Sequence, residues 1–78
     1  MFLPELGQNI RLARKKQFPR DNMKDFSLRV GISRATYQKM EKGDLSVSLK
    51  YYYKTAKLLG VENDFSQLFL LKASLFDD

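Results

Sequence analysis

The stretch VGISRATYQKMEKG, Val30 to Gly43, leaves only three residues between two apolar, helix-forming segments. Gly31 can take left-handed backbone at little cost, so it stops the helix before it. Ser33 is a preferred N-cap for the helix after it. Gly31, Ile32 and Ser33 therefore form a tight turn between two short helices, the pattern of a helix-turn-helix. So short a turn makes the helices cross steeply. The second then protrudes, with the first lying across its back.

On a wheel of about 100° per residue, Arg34, Ala35, Gln38, Lys39 and Lys42 share one arc of about 140°. Thr36, Tyr37, Met40 and Glu41 take the opposite arc, which is mostly apolar. The first face suits a major groove. Arg and Lys donate to guanine O6 and N7, Gln bridges adenine N6 and N7, and an alanine methyl packs on the thymine methyl. Any solvated helix also has a polar face, and the wheel alone does not separate the two readings.

The remaining helices follow from their punctuation. Pro4 suits the first turn of a helix that carries Leu6, Ile10 and Ala13 on one stripe and fades by Gln17, before Pro19. Asn22 caps the second helix, with Asp25 favouring its N-terminus and Met23, Phe26, Ser27 and Val30 facing inward. The third helix runs from Ser33 to about Glu41, and Gly43 closes it. Ser48 caps the fourth, presenting Leu49, Tyr52, Tyr53, Ala56 and Leu59, with Gly60 as its stop. Asn63 caps a fifth over Phe65, Leu68, Phe69 and Lys72. Leu12, Leu28 and Tyr51 fall off the core stripes. No segment alternates long enough for a strand, so the chain is expected to be all-α, one compact five-helix domain.

Composition narrows the chemistry. The 78 residues include no cysteine and no histidine, which removes disulfides, thiolate metal sites and the commonest general base. With no glycine-rich phosphate loop and no clustered carboxylates, an enzyme is not expected, nor a cofactor or metal. The longest apolar run, Leu68 to Leu71, is far too short to span a membrane. The start MFLPEL lacks the basic and apolar regions of a secretory leader, so a cytoplasmic protein is expected.

Net charge is +5, unevenly placed. Residues 1–58 hold thirteen Lys/Arg against five Asp/Glu, while residues 59–78 hold one against four. A basic body suits a polyanion, whether nucleic acid or an anionic membrane, and also serves solubility. The acidic end is rich in apolar side chains. Leu70, Leu71, Leu75 and Phe76 exceed what one helix face can bury. They either wrap onto the chain's own core or, as the acidic flanks favour, form a dimer or partner contact away from DNA, through Leu71, Leu75 and Phe76.

LGQNIRLARKK, VGISRATYQKMEKG and VSLKYYYKTAKLLGV together resemble the XRE family, the lambda-repressor-like helix-turn-helix domains, over residues 6 to about 61. The resemblance implies that the third helix is the recognition helix. Arg34, Ala35, Gln38 and Lys39 are then the base-reading candidates and Lys42 a phosphate contact. It also implies an ion pair between Arg14 on the first helix and Glu41 at the end of the third. Three features depart from the family pattern. Met23 stands where a polar residue is usual, Ser27 where alanine is usual, and the loop QFPRDN is longer. Arg20 and Lys24, in and beside that loop, are either further phosphate contacts or merely exposed; Ser33 is a further phosphate candidate.

Family members bind paired half-sites as two-fold dimers. The expected function is thus a sequence-specific DNA-binding transcriptional regulator, a repressor acting as a homodimer on double-stranded DNA. The short apolar end also resembles HipB-type antitoxins, which hold a toxin protein and repress their own operon, and this is the alternative.

Overall fold

The computed structural model describes residues 1–70. They form four α-helices and one 3₁₀ segment: α1 Pro4–Gln17, α2 Met23–Val30, α3 Arg34–Glu41, α4 Leu49–Leu59 and the 3₁₀ segment Glu62–Gln67. The expected all-α class is borne out, and among the described residues the β-structure is one antiparallel bridge, Phe2 with Asp44.

The caps explain the boundaries. Asn22 Oδ1 accepts from the Asp25 N–H at 2.8 Å to open α2. Gly31 closes it at φ 86°, its N–H donating to the Ser27 carbonyl at 2.9 Å. Ser33 Oγ accepts from the Thr36 N–H at 3.0 Å to open α3, and Ser48 Oγ from the Lys50 N–H at 3.2 Å to open α4. Each satisfies a backbone donor that a helix start leaves orphaned.

The core is Phe26, Val30, Tyr37, Met40, Tyr52 and Leu59. The Phe26 ring sits 5.1 Å from that of Tyr37 and 5.4 Å from that of Phe18, tilted and edge-on, the arrangements aromatic pairs favour. Leu6, Ile10 and Ala13 of α1 close the core from above.

Three expectations need correction. The fifth helix is not α and does not begin at Asn63; it is a six-residue 3₁₀ turn entered from Val61, with no side-chain cap. Leu68 is already extended and Phe69 has left-handed backbone, so neither continues a helical stripe. On α4 the buried stripe is Tyr52, Thr55, Ala56 and Leu59. Tyr53 lies one step aside against Phe65, ring centres 5.4 Å apart, and Leu49 is exposed at the helix start. Tyr51, expected off the stripes, packs on the core edge, while Leu12 and Leu28 are exposed. The expected positions Leu71, Lys72, Leu75 and Phe76 lie outside the described residues.

Three backbone contacts fix where α3 ends and how the segment after it runs. Gly7 brings α1 so close to α3 that a Cβ there would lie 2.3 Å from the Glu41 carbonyl oxygen. Ahead of α1, the Leu3 N–H donates to the Gly43 carbonyl at 2.8 Å, and the Leu45 N–H to the Met1 carbonyl at 3.0 Å. These bonds clamp the segment that follows α3. Tyr52 holds it from below, its hydroxyl donating to the Asp44 carbonyl at 2.7 Å.

Candidate nucleic-acid interface

α3 has two sharply different faces. Tyr37 and Met40 are wholly buried. Arg34, Ala35, Lys39 and Lys42 are exposed, and Gln38 is half-buried. The structure therefore brings the base-reading candidates Arg34, Ala35, Gln38 and Lys39 onto one helix, with Lys42 as its C-cap. Among the described residues none of these cations has a carboxylate within 4.0 Å; the two salt bridges lie elsewhere. A cation without an acidic partner is free to displace the counterions of a phosphate chain.

The inner face of α3 is anchored by charge as well as packing. Arg14 Nε lies 2.8 Å from Glu41 Oε2, and both side chains are only 9% exposed. Arg14 Nη1 donates to the Asp21 carbonyl at 3.0 Å. The Tyr37 hydroxyl donates to the same Glu41 oxygen. The Glu41 hydrogen bond raises the Arg14 guanidinium above its ordinary range, against the opposing cost of burial. Burial, then the Glu41 hydrogen bond, pushes the Tyr37 hydroxyl well above its usual value, so it remains a neutral donor. Among the described residues no buried side-chain nitrogen or oxygen lacks a partner. The sequence placed Tyr37 only on an apolar face; its spacing of four from Glu41 was the available signal.

Asp21 is the second residue that sequence reasoning missed. Its carbonyl accepts from Arg14, and its carboxylate pairs with Arg29, whose Nη2 lies 3.2 Å from Oδ1. The Arg29 guanidinium also sits 5.0 Å over the Phe18 ring. An exposed pair of this kind adds little stability. Its effect is local: it shapes the loop before α2 and neutralises one cation of that helix. Arg20 and Lys24 remain exposed beside it, without a salt bridge among the described residues.

The other phosphate candidate, Ser33, has its hydroxyl engaged. It accepts from the Thr36 N–H and donates to Thr36 Oγ1 at 2.9 Å. What it can offer a phosphate is backbone at a helix N-terminus. After α3, Ser46 bonds Asp44 Oδ1 from its N–H at 2.9 Å and its hydroxyl at 2.7 Å. Those bonds hold the Asp44 carboxyl below its ordinary range. Lys50, an exposed cation at the start of α4, follows this ordered loop and was not singled out from sequence.

No helix among the described residues is long and apolar enough to cross a membrane. Comparison with curated proteins and with solved structures gave no match. A family model described as Helix-turn-helix matches residues 20–64, more than half of the 78, and spans the whole of α2, α3 and α4. With that match laid over a capped two-helix unit and an open cationic face, the chain belongs to the XRE family of helix-turn-helix domains and is a DNA-binding transcription regulator.

Proposed function

We propose that the protein is a sequence-specific repressor that binds a two-fold operator as a homodimer. One observation carries the reading: the outer face of α3 presents Arg34, Ala35, Gln38 and Lys39 together, on a helix held from behind by α1 and α2. In this reading α3 enters the major groove. Arg34, Gln38 and Lys39 meet base edges, Ala35 keeps the entry turn slim, and Lys42, Lys24 and Arg20 meet phosphates. Two protomers would set their recognition helices about one DNA turn apart, roughly 34 Å. Selecting bound DNA from a random pool tests the whole reading. A palindromic motif is expected, and a pool that yields no motif refutes sequence-specific binding. A toxin-holding role rests on the resemblance of the C-terminal end alone and is not part of this proposal.

Two substitutions separate the roles. Gln38→Ala should cost about 1–3 kcal/mol on the selected site and relax the choice at one base pair. An unaltered motif would remove Gln38 from the base readers. Lys42→Ala should weaken binding to all sequences alike and lower the slope of log affinity against log salt by about one unit. A parallel salt titration of wild type and variant measures it, and equal slopes would take Lys42 off the phosphate.

A further inference from the structure

A groove of about 510 Å³ lies between α1, α4, the 3₁₀ segment and the loop that follows α3. Ile10, Ala13, Ala56 and Leu59 form its floor, with Leu68 and Phe69 at its rim, and no residue of α2 or α3 lines it. Apart from Asn9 and Asp64 its wall is almost wholly apolar. Apolar side chains gathered in one groove mark an interaction site in a way that the same side chains scattered singly do not.

The backbone at the rim indicates what covers it. Leu68 has φ −61° and ψ 135°, Phe69 has φ 61°, and the Leu70 N–H donates to the Gln67 carbonyl at 3.1 Å. This is the pattern of a type II turn, whose third position normally requires glycine. Phe69 occupies it while its side chain is fully exposed. The turn stands at the edge of the groove, so residues 71–78 are attached at its rim. They supply Leu71, Leu75 and Phe76, followed by Asp77 and Asp78, which suit water. Eight residues reach at most about 27 Å, and attachment at the rim gives them an effective concentration of order millimolar.

We propose that residues 71–78 of the same chain fill this groove, with Leu75 and Phe76 as the anchoring side chains. This gives them a different role from the dimer seam expected on composition, and it stands independently of how protomers pair on DNA. It also ties the C-terminal end to the recognition helix. Leu3 and Leu45, whose backbones clamp the segment after α3, line the same groove. A filled groove backs that clamp.

The chain has no cysteine, so Asp78→Cys offers a single site for a nitroxide. In nitrogen-15-labelled chain carrying the nitroxide, the amide signals of Ile10, Ala13 and Ala56 should lose most of their intensity. In a mixture of labelled chain without nitroxide and unlabelled chain with it, they should keep it. Adding Leu75→Asp with Phe76→Asp should restore the signals and speed hydrogen exchange at the Leu3 and Leu45 amides, while Tyr37 and Met40 keep their shifts and report an intact fold. No loss in the first sample overturns the proposal. So does equal loss in the mixture, which would assign the groove to the end of a second copy.

Discussion

Arg14→Met should cost about 3–5 kcal/mol, the usual penalty for leaving one member of a buried ion pair behind. A domain of this size is held by only about 4–10 kcal/mol in total, so the variant should be close to unfolding at room temperature. With each kcal/mol worth about 4–8 °C here, a thermal melt followed by circular dichroism should fall by roughly 12–40 °C. Arg14 makes two bonds at once, to Glu41 and to the Asp21 carbonyl, so the substitution frees both the end of α3 and the loop before α2. Removing Glu41 as well, as Arg14→Met with Glu41→Leu, should recover part of the loss, because no unpaired charge remains buried. It should not recover all of it, since the Tyr37 hydroxyl then loses its acceptor. A single variant that melts within a few degrees of wild type would show that the pair is a surface ornament.

Gly7→Ala should destabilise the domain although it improves the helix. In isolation the change gains about 1 kcal/mol of helix propensity. Against that, the new Cβ would lie 2.3 Å from the Glu41 carbonyl oxygen and 2.5 Å from the Gly43 nitrogen. Both are backbone atoms and cannot rotate away. α1 and α3 must part by roughly an ångström to restore contact distance, which stretches the Arg14–Glu41 pair and the Leu3–Gly43 bond together. Overpacking of this kind costs about 1–3 kcal/mol or more, and the two dependent contacts put it at the upper end. The expected result is a melting point lower by about 10 °C and a weaker grip on DNA, because the base of α3 has moved. Gln8→Ala, one residue along on the exposed side of α1, should change stability by less than about 0.5 kcal/mol. If Gly7→Ala instead raises the melting point, propensity outweighs the clash and the close approach is softer than the geometry states.

The parts of this fold legible in the sequence are those with local causes. Pro4, Asn22, Gly31, Ser33, Ser48 and Gly60 each act on the backbone within a turn of themselves, and each stands at the boundary its chemistry implies. The two faces of α3 were legible for the same reason, since a wheel needs only spacing. What escaped depends on distant partners. Nothing near Gly7 announces that the end of α3 will press on it. Nothing near Asp21 announces that two arginines will converge there. The 3₁₀ segment was misread because Phe65, Leu68 and Phe69 satisfy helical spacing while the segment's N-terminus has no capping side chain. The exposure of Leu49 was misread because the stripe rule holds only where another helix covers the stripe.

The placement of α1 also has a consequence for how the chain is made. Arg14 leaves the ribosome 27 residues before Glu41, an interval of roughly one to five seconds at ordinary rates of synthesis. During that time α1 has no partner for Leu6, Ile10 and Ala13. The pair that follows, α2 and α3, is too short to be stable as isolated helices and cannot lend it a surface until both have emerged. α1 therefore waits for partners made after it, and α3 is not held in its working position until α1 docks on it. In the interval α1 carries Arg11, Arg14, Lys15 and Lys16 against the single acid Glu5, and like-charge repulsion among nascent copies keeps the waiting helix from finding the wrong neighbour.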